Sequence, residues 1–205
     1  MSVEQIKVGN DNFSYVIYCP DTKKAALVDP SYDATKAIEF IEENDLDLIY
    51  IINTHSHSDH TGDNPRVKKR FQCKIIVSAA LGSQGVRMAD KYVEDGEEIM
   101  LGELKLKFLH TPGHTKDSLC VIVDEEALIT GDTLFIGDCG RTDLLDGNLA
   151  HMFKTLQEKI KPLPDYLTVY PGHDYGDKPF DSLGNQKEKN KTLLVTSLNQ
   201  FAEIP

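Results

Sequence analysis

Long apolar runs are missing from this sequence. No window approaches the ~20 consecutive apolar residues of a membrane-spanning helix, so an integral membrane protein is not expected. The opening residues, MSVEQIKVGNDNF, hold no basic segment followed by an apolar one, and they predict no secretory leader. Positive charge is also scarce: 22 Lys and Arg stand against 33 Asp and Glu, a formal net charge of −11, with the acidic residues spread along the chain. Nucleic-acid binders and polybasic membrane anchors need cations to meet phosphates, so neither class is expected. Cysteine is sparse, and Cys19, Cys73, Cys120 and Cys139 lie far apart with no CxxC among them. Each sits in or beside an apolar stretch, which predicts free buried thiols and a reducing, cytoplasmic setting. Repeats and low-complexity tracts are absent too, which argues against a solenoid or a disordered linker.

What is present suffices for one domain. The chain has 205 residues, 40% of them hydrophobic, so residues 1–205 are expected to close around their own core. A fold of this size buries roughly 70% of its unfolded surface without needing a disulfide or a structural metal. Any metal site therefore calls for a chemical explanation.

Periodicity predicts strands over 13–19 and 25–28, then a helix over 34–43 that spaces Ala37, Ile38 and Ile41 on one face. The continuous apolar run 47–53 (DLIYIIN) reads as a strand buried on both faces, and it stops abruptly at a polar loop. A helix over 63–71, a strand over 74–77, strands around glycine turns within 92–110, and a hairpin of 119–123 with 127–130 follow. A helix over 149–160 carries Met152, Phe153, Leu156 and Ile160 on one face; a strand over 166–169, a long loop and a C-terminal helix complete the chain. These elements bound the class to α/β or α+β.

Behind the buried strand ending at Asn53 stands Thr54-His55-Ser56-His57-Ser58-Asp59-His60-Thr61-Gly62, three imidazoles and a carboxylate within six residues. In an extended segment His55 and His57 point to one side, while Asp59 and His60, past a bend, face the same centre from another direction. Neutral nitrogens with a hard oxygen suit zinc, iron or manganese and not calcium, which takes oxygen alone. Further candidate ligands share one grammar, each following a strand at a glycine-marked turn: His114 in Thr111-Pro112-Gly113-His114, Asp132 in Gly131-Asp132, and His173 in Pro171-Gly172-His173. His110 and His151 have no assigned role; His110, ending a strand just before the His114 turn, is expected to pack rather than to support the site. Cys139, beside Asp138, lacks the neighbours that activate a thiol.

With its H-x-H-x-D-H loop and a distal His, Asp and His, the chain resembles the metallo-β-lactamase superfamily over nearly its whole length. The resemblance implies an αββα sandwich with the site at one edge. It implies that His55, His57 and His114 form a first metal position, that Asp59, His60 and His173 form a second, and that Asp132 bridges them. A secreted β-lactamase is not expected without a leader, a flavodiiron domain would carry Glu at His57, and RNA-processing members add a domain and basic surface. Two branches remain.

Asp138-Cys139-Gly140-Arg141-Thr142-Asp143, His173-Asp174-Tyr175 and Tyr92-Val93-Glu94-Asp95-Gly96 resemble persulfide dioxygenases, which oxidise glutathione persulfide with O2 to sulfite and glutathione. That branch implies one Fe(2+) on the two-His, one-carboxylate triad His55, His114 and Asp132, with three positions open. His57, Asp59, His60 and His173 would then orient ligands and line the cavity. The alternative branch, glyoxalase II, implies two Zn(2+) or a Zn/Fe/Mn mixture on all seven residues and hydrolysis of an acyl-glutathione thioester, with Asp59 catalytic. Leu144 stands where the dioxygenases carry an aromatic, and Asn190-Lys191 replaces the Asn-Pro of both branches, which puts the thiol-binding wall in question. Tyr175 is the further catalytic candidate, its hydroxyl meeting the sulfur-bearing group. Arg141 is the candidate for a substrate carboxylate unless Asp143 pins it. The implied partners are a small thiol substrate and O2; a homodimer through a surface Tyr or Phe cluster is left open.

Overall fold

Two runs of strands, one before residue 94 and one after it, set the architecture of this computed structural model, which describes residues 2–82 and 89–204. The first sheet is ordered β1 (Ser2–Val8), β2 (Asn12–Tyr18), β3 (Lys24–Val28), β4 (Asp47–Ile52), β5 (Lys74–Ser78) and β6 (Lys91–Val93). Its first three strands are antiparallel. From β3 to β6 they run parallel; α1 (Thr35–Glu43) carries the chain back from β3 to β4, and α2 (Ser58–Thr61) with α3 (Asn64–Phe71) from β4 to β5. The second sheet holds β7 (Glu98–Leu101), β8 (Leu104–His110), β9 (Leu119–Val123), β10 (Ala127–Gly131), β11 (Thr168–Pro171) and β12 (Asp181–Ser182), neighbours in that order. Its one parallel pair, β10 with β11, is bridged by α4 (Leu149–Thr155), which runs on as a π-turn to Ile160.

The period of two along β2 decides the layers. Phe13, Tyr15 and Ile17 face the second sheet and meet Leu106, Phe108, Val121 and Ile129 there. Val16 points the other way, into Ile38 and Ile41 of α1 and Val67 of α3. On the far side, Leu128 and Val169 pack against Met152, Leu156 and Ile160, Leu183 of α5 (Leu183–Lys189), Leu193 of α6 (Lys191–Leu194) and Phe201 of α7 (Leu198–Ala202). The result is helix, sheet, sheet, helix: the expected αββα sandwich.

The N-terminal and C-terminal segments differ from the sequence reading. Residues 2–8 form a strand that polar VEQIKV does not announce; seven-residue pairing with β2 and burial of Ile6 and Val8 make it one. The C-terminal segment is three short helices where one was expected. Ser182, Asn190 and Ser197 each accept a backbone N–H at a new helix start, so the chain stops and restarts at each cap. The four cysteines are free, three buried and Cys139 half-buried. Burial and Asp138 push the Cys139 thiol up to about 12, which leaves it unreactive. No helix among the described residues is long and apolar enough to cross a membrane.

Candidate metal centre

The apolar run of β4 ends at Ile52, and the polar residues behind it emerge at one edge of the sandwich. Asn53 and Asn64 exchange amide hydrogen bonds of 2.7 and 3.3 Å, fixing the loop to α3. His57 is extended, and α2 begins directly behind it. That single helical turn swings Asp59 and His60 to a second side of the centre, and it replaces the polar loop read from the sequence.

Glycines let the other donors come close. At Gly113, with φ of +153°, an added Cβ would lie 2.5 Å from Met152 Cα, so only glycine lets α4 press against the turn that carries His114. At Gly172 a Cβ would lie 2.3 Å from Asp132 Oδ1, so the β11 turn carrying His173 packs directly on the Asp132 carboxylate.

The donors fall into two groups joined by Asp132. His57 Nδ1 lies 3.0 Å from both His55 Nε2 and His114 Nε2. Asp59 Oδ2 lies 3.4 Å from His60 Nε2 and from His173 Nε2, which are 3.3 Å apart. Asp132 Oδ2 is 3.5 Å from His114 Nε2 and 3.4 Å from His173 Nε2, and its Oδ1 is 3.4 Å from His60 Nε2. A tetrahedral seat with bonds of about 2.1 Å has edges of about 3.4 Å, so these spacings suit ions held between the donors. Asp132 Oδ1 is buried without a hydrogen-bond partner, a further sign that the polar inventory is complete only with a cation. The residues fit one metal or a pair, drawn from the borderline metals that take imidazole and carboxylate.

Electrostatics agree with this. Burial holds the His55 and His114 imidazoles below their usual range, neutral and ready to ligate. Burial pushes the Asp59 and Asp132 carboxyls up, but the facing imidazoles of His60 and His173 outweigh it and hold both far below the usual range. Burial opposes a charge on His173, yet Asp132 and Asp59 carry its imidazole up to about 9. Protons thus stand where a cation would sit.

Asp29 was not singled out in the sequence. It ends β3 at a φ of +48°, is buried, and accepts from Thr54 N (2.8 Å) and Thr54 Oγ1 (2.6 Å). It also accepts from His60 Nδ1 at 2.9 Å, which fixes that ring with Nε2 inward. The only signal was a lone carboxylate closing an apolar strand before Pro30. Asn12 was also missed; its amide reaches Asp59 O and Oδ2 at 3.3 Å.

Tyr175 stacks on His173 with ring centroids 4.8 Å apart, and Phe135 stands edge-on to both rings. Burial and Asp11 push its hydroxyl up to about 12, so it remains a proton donor, and the residue is 58% exposed at the rim. The Arg141 side chain points to solvent and forms two 2.7 Å bonds with Asp143, the pinning that the sequence allowed for. Its carbonyl faces the centre, accepting from His114 Nδ1 at 2.8 Å. The His110 ring bonds to Lys116 O at 2.8 Å, and His151 is exposed on α4; neither joins the cluster.

Two mixed sheets between helix layers, with seven His and Asp donors at one edge, define a metal-dependent enzyme of the sandwich class. Residues 9–173 match the Metallo-beta-lactamase superfamily, and the chain belongs to it. It is 31% identical over 195 residues to persulfide dioxygenase ETHE1 of human mitochondria, covering 94% of this chain and 75% of that protein. A probable hydroxyacylglutathione hydrolase of Schizosaccharomyces pombe is 34% identical over 197 residues, 93% of this chain and 72% of that one. The fold is similar to the crystal structure of ETHE1 from Myxococcus xanthus, with a TM-score of 0.90 and 30% identity over 100% of this chain and 92% of that chain.

Proposed function

We propose that the chain is an iron(II)-dependent persulfide dioxygenase of the cytoplasm, built as one domain of residues 1–205 and acting on glutathione persulfide or another low-molecular-weight persulfide. The observation that carries this reading is the similarity in fold to ETHE1 from Myxococcus xanthus over the full chain, in a protein whose human relative is named a persulfide dioxygenase. The four free thiols support a reducing compartment. Four electrons leave the sulfane sulfur and enter O2; water supplies the third oxygen of sulfite, and the thiol is released.

His55, His114 and Asp132 are the metal triad. Iron(II) held there supplies open positions for sulfur and O2 and the redox chemistry that zinc lacks. The Arg141 carbonyl holds His114 with Nε2 inward, and burial keeps His55 and His114 unprotonated. His57, Asp59, His60 and His173 line the cavity and orient the triad. The Tyr175 hydroxyl, protonated throughout the neutral range, donates to the substrate at the open rim. Arg141 serves a substrate carboxylate by exchanging it for Asp143, an exchange made cheap by the exposure of that pair.

A second reading rests on the pairing of donors. Two groups of three joined by Asp132 fit two ions, and a hydroxyacylglutathione hydrolase is among the relatives. There all seven residues hold zinc or a Zn/Fe/Mn mixture, and Asp59 orients the water that cleaves a glutathione thioester. Anaerobic purification with iron, metal analysis, and oxygen uptake with glutathione persulfide beside lactoylglutathione hydrolysis separate the two. About one iron per chain with persulfide-dependent oxygen uptake is the expected result. Thioester cleavage by a two-metal protein without oxygen uptake would establish the hydrolase instead.

A further inference from the structure

We propose that Asp11, on the turn between β1 and β2, is a positioning residue for His173: its carboxylate accepts a hydrogen bond from Nδ1–H and so makes Asp59, His60 and His173 a competent second metal seat. The inference rests on the metal-centre reading above and does not depend on which substrate the enzyme takes.

Three of the imidazoles that turn Nε2 toward the centre have Nδ1 occupied from behind. His55 Nδ1 meets Thr54 Oγ1 at 3.1 Å, His60 Nδ1 meets Asp29 Oδ2 at 2.9 Å, and His114 Nδ1 meets Arg141 O at 2.8 Å. His173 breaks this pattern, since its Nδ1 is buried and has no hydrogen-bond partner. When a metal takes Nε2 of a neutral imidazole, the one remaining proton must sit on Nδ1. A buried N–H with no acceptor is costly, so an unsupported His173 is a poor ligand.

Asp11 Oδ1 lies 4.0 Å from that nitrogen. Its carboxylate is 43% exposed and its charge acts on the Tyr175 hydroxyl, whose ring stacks on His173. The backbone on both sides is fixed: Asp174 N donates to Asp11 O at 2.7 Å, Phe13 N donates to Gly172 O at 2.8 Å, and Asn12 bridges His173. The gap left to hydrogen-bond range is about 1 Å, with the backbone of both residues already held in place. The backbone carbonyl of Asp11 does the stitching, and its carboxylate is left for His173. Among the described residues Asp11 faces His173 and makes no hydrogen bond or ion pair with His55, His57 or His114, so its influence falls on one seat.

Cobalt(II) titration of the metal-free protein, followed by visible absorption and chelator competition, tests this. With cobalt in excess the wild type should load in two steps, the first at the seat that the dioxygenase reading gives its one iron and the second at Asp59, His60 and His173. Asp11→Ala should weaken the second step roughly 10–100-fold and leave the first within about twofold. Asp11→Asn, which keeps an acceptor oxygen, should restore most of the loss, and thermal unfolding of the metal-free variants should match the wild type. Unchanged loading of Asp11→Ala, an equal loss in both steps, or a wild type that takes one ion would each overturn the proposal. Failure of the dioxygenase reading would show as missing oxygen uptake and would leave the cobalt steps untouched.

Discussion

At the scale of single residues, the donors of the centre are aimed by groups that stand behind them. Asp29 accepts three hydrogen bonds, two from Thr54 and one from His60, and it holds a left-handed backbone conformation to do so. Asp29→Ala is expected to lower metal affinity 10–100-fold by freeing the His60 ring, measured by competition with a chromophoric chelator. Asp132 is the one donor shared by both groups, so Asp132→Ala should cost more, at least about 10²-fold in activity with loss of bound metal by elemental analysis. Gly172→Ala places a methyl 2.3 Å from Asp132 Oδ1 and 3.0 Å from His60 Cε1. It should empty the site while leaving the far-UV circular dichroism unchanged.

At the scale of elements, each ligand-bearing turn is aimed by the strand or helix behind it. The His114 turn leans on α4, where Gly113 meets Met152 without room for a Cβ. Gly113→Ala should therefore destabilise the fold by about 1–3 kcal/mol in urea unfolding and reduce metal content as well, since relief of the clash moves His114. This level also shows what the sequence reveals and what it hides. The H-x-H-x-D-H loop is legible because a continuous apolar run stops abruptly in front of it, and His114, Asp132 and His173 are legible because glycine marks their turns. Edge strand β1 is not legible, because its identity comes from pairing with β2 and its outward residues are polar. The helical turn α2 is too short to carry a period. Asp29 and Asp11 carry no pattern at all: their roles arise from contacts with His60 and His173 far along the chain, and from strand and turn ends that only the folded sandwich brings together.

At the scale of the whole molecule, the core and the centre are separable. Phe108 lies fully buried between the sheets, away from every donor, and Phe108→Ala should cost about 3–5 kcal/mol in stability with metal stoichiometry per folded chain unchanged. Stripping the metal should do the reverse, lowering the melting temperature while preserving secondary structure, since an ion present at 100 times its dissociation constant adds about 2.7 kcal/mol. The donors also divide by sheet. His55, His57, Asp59 and His60 follow β4 of the first sheet, whereas His114, Asp132 and His173 follow strands of the second, and the chain passes between the sheets once, through the turn at Gly96. A protein cut at that turn would yield one piece with a chelating loop and no bridge, and another with a bridge and no loop. The ion is in this sense a clasp between two halves, and its colour in a cobalt-loaded sample would report, fragment against fragment, whether the two sheets have found their mutual register.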